Sequence, residues 1–246
     1  MASDDVHIPT TALVTGANRG LGVEVCRQLA ALGSRVFLTA RDEEKGGAAA
    51  AALSDEGSAV EFVPLDVTDP ASVSAAAAQV TRSTDSLDAL VNNAGGNFDF
   101  MHPVLGSDLE HVQEIVDANF LGVWRVTDAF LPLLKASPAP RIVNVTSEAG
   151  SFTAPQGLPH QGDHLAGYAV AKAGQNAYTV KLAGALADTN ILVNAIRPGF
   201  VATQPGAEEM GARPVSEGAQ SIVWGATLPD GGPTGGFFRD GEPLTW

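Results

Sequence analysis

A tyrosine and a lysine stand four residues apart in the segment LAGYAVAKAG, residues 165–174, whose other members are small or apolar. Side chains at positions i and i+4 of a helix lie on one face and can touch. Lysine carries a fixed positive charge, and tyrosine holds a proton that is normally bound too tightly to leave near neutral pH. A pair of this kind could carry chemistry. An ordinary amphipathic helix surface also explains two such residues, so the rest of the chain has to decide.

A glycine-rich turn, TGANRGLG at residues 15–22, follows the first strand-like run and leads straight into a helical pattern. Gly16, Gly20 and Gly22 let the backbone turn sharply and come close to a ligand. The helix N-terminus then offers free N–H groups and the positive end of its dipole to a pyrophosphate. Its position at a strand–helix junction favours dinucleotide binding over a plain tight connection.

Charges near this turn select the dinucleotide. The second strand ends in Arg41, where an NAD-binding domain would place an acidic residue for the ribose hydroxyls, and Arg19 lies inside the turn. Two guanidinium groups suit a 2′-phosphate, so the sequence predicts NADP(H). Asp66, at the end of the third strand, is expected to accept a hydrogen bond from the adenine amino group. Capping the next helix is the competing role, for which Asp69 is better placed.

Composition limits the classes of protein to which the chain can belong. Its 246 residues, 45% hydrophobic and 17% charged, suit a soluble globular protein with a sizeable core. A net charge of −14 argues against nucleic acid as a partner, because phosphates need a basic surface. Cys26 is the single cysteine, so a disulfide framework is excluded and a reducing compartment is expected. With the acidic start MASDDVHIPT and no apolar run of membrane-spanning length, we expect a cytoplasmic protein without a membrane contact.

Short runs rich in Val, Ile and Leu alternate with longer alanine-rich segments of helical period. Seven runs are typical of strands: TALVTG (11–16), RVFLTAR (35–41), AVEFVPLDV (59–67), LDALVNNAG (87–95), RIVNVTS (141–147), ILVNAIRPG (191–199) and GGFFRDG (235–241). The first helix carries one apolar stripe, Leu21, Val25, Leu29 and Leu32. This alternation predicts a single doubly wound, Rossmann-type α/β domain over residues 1–246, with a parallel seven-stranded sheet flanked by helices.

Five motifs stand in the order seen in the short-chain dehydrogenase/reductase family: TGANRGLG, NNAG at 92–95, Ser147 after a strand, YAVAK at 168–172 and RPGFVAT at 197–203. From about residue 10 onward the chain resembles that family. Two segments near its end, EGAQSIVWGATLP and PTGGFFRDGEPLTW, look like the NADPH-dependent carbonyl reductase branch. Any one motif can arise by chance, but five in order make the resemblance specific.

The resemblance implies a catalytic tetrad of Asn119, Ser147, Tyr168 and Lys172. Tyr168 would protonate the substrate carbonyl, with a pKa lowered toward the working pH, and Ser147 would polarise that carbonyl. Lys172 would favour the phenolate and hydrogen-bond the nicotinamide ribose. Asn119 would hold a water that relays protons to the lysine, and a satisfied core amide is the alternative. Thr146 is the other candidate hydroxyl, but the family uses the second hydroxyl residue of NVTS.

The same resemblance implies the cofactor contacts. The NNAG backbone would form the floor of the site, and PGFVAT would pass under the nicotinamide, with the Val201 backbone and the Thr203 hydroxyl near the carboxamide. Purely structural turns are the alternative at both places. The predicted cofactor-binding residues are Gly16, Asn18, Arg19, Gly20, Leu21, Gly22, Arg41, Asp66, Val67, Asn93, Ala94, Gly95, Tyr168, Lys172, Pro198, Gly199, Val201 and Thr203.

Two loops are expected to shape a substrate pocket. Twenty residues separate the catalytic serine from Tyr168, more than compact family members carry, and we expect an insertion at about 150–166 to form one wall. Its apolar members are Phe152, Leu158 and Leu165. A second wall is expected from residues 204–218, whose glycines and prolines suggest a mobile lid.

The insertion also bears on metals and on assembly. His160 and His164, with Asp163 between them, have a spacing that would suit a metal on a helix. Glycines and prolines in the segment argue against a helix and no further ligand follows, so surface histidines are expected and no metal. In tetrameric family members the tyrosine-bearing helix packs against another subunit, and an insertion before it can cover that face. We therefore expect a monomer, with a homodimer or tetramer as alternatives.

These features favour an NADPH-dependent reductase that converts an aldehyde or ketone to an alcohol, with a small-molecule carbonyl or alcohol as substrate. The first alternative keeps the scaffold and cofactor but makes the chain a ketoreductase or alcohol dehydrogenase of a biosynthetic pathway. The second is an NADP-binding regulatory protein without turnover. The intact tetrad argues against it, since a sensor has no need of the Tyr–Lys pair.

Overall fold

The carboxyl ends of parallel strands meet at one edge of a sheet, so strand order decides which loops gather there. A computed structural model describes residues 6–96 and 103–246, and the first five residues of the acidic start lie outside that description. Within the described ranges eight strands lie side by side in the order β3-β2-β1-β4-β5-β6-β7-β8. They are β1 (Thr11–Val14), β2 (Arg35–Ala40), β3 (Val60–Pro64), β4 (Ala89–Asn92), β5 (Arg141–Val145), β6 (Leu192–Ile196), β7 (Phe237–Arg239) and β8 (Glu242–Leu244).

The predicted doubly wound α/β fold is confirmed, with one correction to the strand count. The first seven strands are parallel, whereas β8 pairs antiparallel with β7. Asp240 and Gly241, with φ of 53° and 84°, form the two-residue turn between them. An Asp-Gly pair is a strong signal for a β-hairpin, and the seven-strand prediction did not use it. The observed strands are shorter than the predicted runs. The polar and glycine-containing ends of those runs lie in loops and do not pair with a neighbouring strand.

Helices cover both faces of the sheet in the described ranges: α1 (Gly20–Ala31), α2 (Glu43–Asp55), α3 (Pro70–Ser83), α4 (Leu109–Val116), α5 (Gly122–Ala136), α6 (Ala166–Ala185) and α7 (Val215–Ala226). On one face Leu29 of α1 and Ile222 of α7 pack into a single apolar cluster with the strands. On the other face Val80 of α3 and Phe130 of α5 do the same. Because the central strands are buried on both faces, they are apolar at nearly every position. No helix in the described part of the chain is both long and apolar enough to cross a membrane.

The apolar stripe predicted for α1 holds for only part of its length. Val25 and Leu29 are fully buried and Leu21 packs against the same cluster, but Leu32 is 41% exposed. The helix ends at Ala31, and Leu32 is its C-cap. The next residue is a glycine with a φ of 102°, which turns the chain away before Leu32 can reach the sheet.

The strand order reverses between β1 and β4, which are neighbours in the sheet although two strands separate them in sequence. In open α/β sheets, ligands bind in the crevice outside the carboxyl ends of strands at such a reversal. The loops that follow β1, β2, β4, β5 and β6 all leave from this edge. They carry most of the residues that the sequence proposes for cofactor and substrate.

Candidate active site

The turn between β1 and α1 leaves room only for glycine at its key positions. Gly16 and Gly20 have φ of 62° and 55°, in the left-handed region that other residues rarely adopt. A Cβ on Gly16 would lie 2.8 Å from Ala94 Cα, and a Cβ on Gly22 would lie 2.7 Å from Asn93 Nδ2. The backbone of the turn is therefore packed closely against the loop after β4.

The NNAG motif after β4 holds this turn in place. Asn93 Nδ2 donates to the carbonyl oxygens of Thr15 at 2.8 Å and Gly16 at 3.2 Å. In return, Thr15 Oγ1 accepts from the backbone N–H groups of Asn93 at 3.0 Å and Ala94 at 2.9 Å. The motif therefore has a structural role in holding the glycine turn, which was one of the two interpretations of NNAG. Its contact with a cofactor stays a prediction.

Arg19 and Arg41 flank the same turn. The backbone N–H of Ala17 donates to the Thr39 carbonyl at 2.8 Å, which joins the glycine turn to the end of β2. Both arginine side chains are exposed, and neither makes a hydrogen bond or ion pair with any described residue. Two free positive charges thus stand at this edge of a protein whose net charge is −14.

The acidic residue nearest to Arg41 is engaged elsewhere. Asp42 is the N-cap of α2, and its Oδ1 accepts from the Lys45 backbone N–H at 3.0 Å. Its Oδ2 accepts from Lys45 Nζ at 2.6 Å, and this hydrogen bond lowers the pKa of the carboxyl. Arg41 is therefore an available positive charge after β2, and its contact with a 2′-phosphate stays a prediction.

Asp66 uses one carboxylate oxygen to close its own turn. Its Oδ1 accepts from the Thr68 backbone N–H at 2.9 Å and from Thr68 Oγ1 at 2.7 Å. The N-cap of α3 is Asp69, which accepts from the Ala71 N–H at 2.9 Å, so the preference for Asp69 in this role is confirmed. Asp66 Oδ2 has no hydrogen bond within residues 6–96 and 103–246, which leaves it for a ligand amino group.

Val67, the next residue, is buried and helps to anchor α5. Its carbonyl accepts a hydrogen bond from the Arg125 guanidinium, which also pairs with Asp117 at 2.9 Å. A Cβ on Gly122 would lie 2.8 Å from Val67 Cγ2, so the first residue of α5 rests directly on this side chain. The contacts seen for Val67 are structural.

Asn119 lies in a π-helical segment, Asp117–Leu121, which interrupts the long helix expected here and separates α4 from α5. Such π-bulges are frequent at functional sites. The side chain is fully buried, and Nδ2 donates to the Gly96 carbonyl at 2.9 Å and to the Ile115 carbonyl at 3.0 Å. Oδ1 accepts from the Gly96 N–H at 3.3 Å. These contacts fit the alternative interpretation of Asn119 as a core amide with its hydrogen bonds satisfied. Its role in a water relay stays a prediction.

Ser147, Tyr168 and Lys172 meet where β5 ends and α6 begins. Ser147 caps a short 3₁₀ helix, Glu148–Gly150, by accepting from the Ala149 N–H at 3.1 Å. A hydrogen bond joins the side chains of Ser147 and Tyr168. Lys172 Nζ lies 5.6 Å from the centroid of the Tyr168 ring.

Gly95 completes the group from the β4 side. A Cβ on Gly95 would lie 2.7 Å from Asn119 Oδ1 and 3.7 Å from Lys172 Nζ. The asparagine and the lysine therefore both border this glycine, and the structure brings all four predicted catalytic residues to one place. Any side chain at residue 95 would push into them.

Burial dominates the acid–base properties of this group. It raises the pKa of Tyr168 to about 12, and the hydrogen bond with Ser147 only partly offsets the effect. Burial also lowers the pKa of Lys172 to about 7, because an ammonium loses its hydration inside the protein. The expectation that the pKa of Tyr168 falls is wrong for this structure. Desolvation of the buried phenolate is the main cause of the rise.

The alternative hydroxyl, Thr146, is engaged in holding α6. Thr146 is buried, and its Oγ1 donates to Asn176 Oδ1 at 2.6 Å. Asn176 Nδ2 in turn donates to the Gly150 carbonyl at 3.3 Å. These contacts tie the helix that carries the tyrosine to the loop after β5.

The insertion before α6 packs against the tyrosine through two of its three expected wall residues. Leu158 and Leu165 contact a buried cluster that contains Ile115 and Tyr168, whereas Phe152 is 68% exposed. Leu165 is the N-cap of α6 and has a φ of 58°, a conformation uncommon outside glycine. The backbone is strained directly before the tyrosine-bearing helix, where packing of Leu165 offsets the cost.

The loop after β6 passes beside the glycine turn. Thr203 Cγ2 would stand 3.5 Å from a Cβ on Gly20. Gly199 has a φ of 86°, and the Pro198 carbonyl accepts from Arg213 at 3.3 Å. The RPGFVAT motif thus lies next to the first βα turn, the place that its proposed cofactor contact requires.

Only part of the segment predicted as a lid, residues 204–218, is a loop. Val201 and Arg213 form a bridge that closes the base of the loop, and Gly206 and Gly211 have φ of 80° and 85°. Helix α7 begins at Val215, and a Cβ on Gly218 would lie 2.6 Å from Val201 Cγ2. The last part of the expected lid is therefore a helix packed on the protein, which limits a lid to residues 204–214.

The histidines of the insertion stand at the surface. His160 and His164 are exposed, and His164 Nε2 lies 3.9 Å from Asp163 Oδ1. Nowhere in residues 6–96 and 103–246 do three His, Cys, Asp or Glu side chains gather as metal ligands would.

Gln175 is a site residue that the sequence reading missed. It follows the YAVAK motif by three positions, is fully buried, and accepts from Lys172 Nζ at 2.9 Å through Oε1. The available signal was the polar pair Gln175–Asn176 in the middle of a helix of otherwise small and apolar residues. A buried amide there needs a partner, and the nearest chemical motif was the lysine one turn earlier.

Comparison with known proteins agrees with this geometry. A family model described as short chain dehydrogenase matches residues 10–212. A (+)-neomenthol dehydrogenase of Arabidopsis thaliana is 35% identical, with 94% of this chain and 96% of that protein aligned. A salutaridine reductase of Papaver somniferum is 34% identical, with 95% of each chain aligned.

A solved structure is similar over almost the whole fold. The NADPH-bound carbonyl reductase from chicken fatty liver superposes with a TM-score of 0.84 at 28% sequence identity. The match covers 96% of this chain and 99% of that one.

Proposed function

Because this chain belongs to the short chain dehydrogenase family of oxidoreductases, we propose that it is an NADP(H)-dependent reductase that converts an aldehyde or ketone to an alcohol. One observation carries the proposal: Tyr168 is hydrogen-bonded to Ser147 and lies beside a buried lysine. The three side chains stand at the carboxyl edge of the sheet, close to the glycine turn. A binding protein without turnover has no use for this arrangement.

Tyr168 is the proton donor in this proposal. Burial holds its pKa at about 12, so the phenol is fully protonated before reaction, as a general acid must be. Ser147 shares a hydrogen bond with it and offers its hydroxyl to the same substrate oxygen. When the proton leaves, the charge on the phenolate is stabilised by the Lys172 ammonium 5.6 Å from the ring centroid.

The residues around the glycine turn fit a dinucleotide with a 2′-phosphate. The turn offers backbone without side chains at Gly16 and Gly20, and Arg19 and Arg41 stand exposed without partners among the described residues. Asp42, the carboxylate next to Arg41, is engaged in the N-cap of α2 and in an ion pair with Lys45. When bound, the nicotinamide supplies the hydride that reduces the carbonyl. The similar chicken carbonyl reductase holds NADPH, which supports this choice.

Substitution of the proton donor tests the mechanism. Tyr168→Phe should lower kcat for carbonyl reduction by about 100-fold or more, while NADPH binding followed by fluorescence stays unchanged. Tyr178→Phe is the matched control, because Tyr178 is buried in the same helix but stacks on Trp124 with ring centroids 4.6 Å apart. Turnover of Tyr168→Phe equal to that of the unaltered chain would remove the tyrosine from the mechanism.

Cofactor titrations test the two arginines. Arg19→Ala and Arg41→Ala should each weaken NADPH binding by about tenfold and leave NADH binding nearly unchanged, because one charge-assisted contact to the 2′-phosphate is lost. Arg82→Ala serves as control, since Arg82 is exposed in the last turn of α3, at the opposite edge of the sheet. Tighter binding of NADH than NADPH by the unaltered chain would contradict the assignment.

A second reading keeps the chemistry and changes the substrate class. The similarity to a neomenthol dehydrogenase and a salutaridine reductase favours a bulky cyclic ketone or alcohol of a biosynthetic pathway over a small aldehyde. NADPH oxidation against small and bulky carbonyl compounds, with the reverse reaction on the matching alcohols, separates the two. The insertion at 150–166 and the loop 204–214 are the proposed walls of the substrate pocket. Replacing the sequence of either loop should change which substrates are reduced more than it changes the affinity for the cofactor.

The oligomeric state stays a prediction. A monomer was expected because the insertion precedes the tyrosine-bearing helix, yet Val170 and Val180 of α6 and Trp124 of α5 remain exposed in the single chain. Sedimentation velocity at micromolar concentration decides between a monomer and a larger assembly.

A further inference from the structure

Lys172 donates two hydrogen bonds to the protein itself. Its Nζ lies 3.0 Å from the Val145 carbonyl and 2.9 Å from Gln175 Oε1. A lysine ammonium has three N–H donors, so one remains for a ligand. The two acceptors therefore determine where that third donor points, and Gly95 borders Nζ on the side of Asn119.

The orientation of the Gln175 amide is set by the lysine. If the amide were turned around, its NH2 group would face an ammonium, donor against donor, so Oε1 must be the atom on that side. Nε2 then has no hydrogen-bond partner within residues 6–96 and 103–246, although Gln175 is fully buried. A buried donor without a partner costs stability, which an apolar side chain at this position would avoid. Stability of the fold does not account for a glutamine here.

Within residues 6–96 and 103–246, no carboxylate hydrogen-bonds to the ammonium. Helix α6 packs against α4, the π-helical segment, the 3₁₀ helix Glu148–Gly150 and β6. Within these elements Asp117 pairs with Arg125 and Glu148 with Arg197, and β6 contains no titratable residue. The other titratable groups on these elements belong to α4 and are Glu110, His111 and Glu114, of which the last two pair with each other. Helix α5, whose Trp124 stacks on Tyr178, adds Arg125, Asp128 and Lys135, and Asp128 acts on Tyr178. Strand β5 adds Arg141, which pairs with Asp230. The direct partners of Nζ are two neutral carbonyl oxygens, with the Tyr168 ring beside it.

We propose that Gln175 is a positioning residue that holds the Lys172 ammonium for carbonyl reduction. It acts through the lysine and does not touch the substrate. Its carbonyl dipole favours the charged lysine and, together with Val145, aims the remaining N–H toward the cofactor side. The inference rests on the proposed function for the task of Lys172, but the contact itself is a property of the free chain.

The first test measures Lys172 directly, without cofactor. The sequence has four lysines, and Lys45, Lys135 and Lys181 are exposed, so ¹³C-labelled lysine gives one buried signal and three references in an NMR titration. In Gln175→Met, Lys172 should titrate about one pH unit lower than in the unaltered chain, because a hydrogen bond to a charged group is lost. In Gln175→Glu it should titrate higher, because a carboxylate replaces the amide oxygen.

The second test separates positioning from structure. Gln175→Met should lower kcat at pH 8 by about tenfold, change KM for the carbonyl by less than about twofold, and leave the melting temperature equal or higher. Gln175→Glu keeps an acceptor for Nζ and should recover most of the lost kcat. Thr127→Val is the control: it removes a buried hydroxyl of α5 that accepts from Asn92 at 3.0 Å, so it should lower stability and leave the lysine titration unchanged.

The outcomes are distinct. If Lys172 titrates at the same pH in both Gln175 variants as in the unaltered chain, Gln175 does not hold the ammonium and the inference fails, whatever the enzyme reduces. If the unaltered chain reduces no carbonyl compound, the proposed function fails, and the titration alone still decides the contact. Should Gln175→Met not fold, the upward shift in Gln175→Glu carries the test.

Discussion

Replacement of Lys172 by methionine should make the stability of the protein less dependent on pH. Burial holds the pKa of this lysine at about 7 in the folded chain, against an ordinary value of 10.5 that the unfolded chain regains. Between these two values the unfolded chain binds one proton more than the folded chain. The free energy of unfolding of the unaltered protein therefore rises with pH across this window, and the methionine variant lacks that contribution.

The size of the effect follows from the same two values. One bound proton corresponds to a slope of about 1.4 kcal/mol per pH unit, so the contribution is about 3 kcal/mol between pH 7.5 and 9.5. No discount for solvent applies, because Lys172 is only 5% exposed and its hydrogen-bond acceptors are neutral. The raised pKa of Tyr168 acts in the opposite sense, but only where an unfolded tyrosine ionises, above its ordinary value of 10.0.

Urea unfolding at several pH values between 7.5 and 9.5 measures the difference between the two proteins. Groups other than Lys172 contribute to both curves and cancel when one is subtracted from the other. Lys181→Met provides the control, because Lys181 lies on the same helix but is exposed. Parallel curves for the unaltered chain and Lys172→Met would refute the reasoning, since they would mean that burial does not depress this lysine.

Two further substitutions test the packing around the site. Gly150→Ala places a Cβ 2.5 Å from the backbone of Lys172 and Ala173, so the melting temperature should fall by several degrees. Gly47→Ala is the control, because a Cβ there enters open space beside α2 and should be neutral or stabilising. A normal melting temperature for Gly150→Ala would mean that the helix moves freely against this loop. Asn93→Ala removes two hydrogen bonds to the glycine turn and should weaken NADPH binding about tenfold in a fluorescence titration. Unchanged affinity would show that the turn keeps its shape without them.

Much of this site is predictable from local sequence because its chemistry is local. The glycines of TGANRGLG are needed where φ is positive at Gly16 and Gly20, and the four-residue spacing of Tyr168 and Lys172 places both on one helix face. Alternation of apolar strands with helices implies a parallel sheet, and a parallel sheet brings the loops after its strands to one edge. Fold class and most of the candidate residues follow from these rules alone.

Other features depend on where an element ends and on which groups the fold brings together, and periodicity carries no record of them. Leu32 fits the apolar stripe of α1 but ends at the surface, because the helix stops one residue earlier. The amide of Asn119 is directed by Gly96 across a gap in sequence, and the orientation of Gln175 is decided by Lys172 and the strand behind it.

The sequence by itself determined which groups are the candidates for the chemistry, since residue type and spacing along a helix or turn specify which side chains are present and on which face they lie. Only the tertiary structure decided their protonation. The pKa of Tyr168 rises and that of Lys172 falls because the fold removes water from both, and desolvation depends on everything packed around a group. The physical reason is that spacing is a property of neighbours in the chain, whereas burial is a property of the whole molecule.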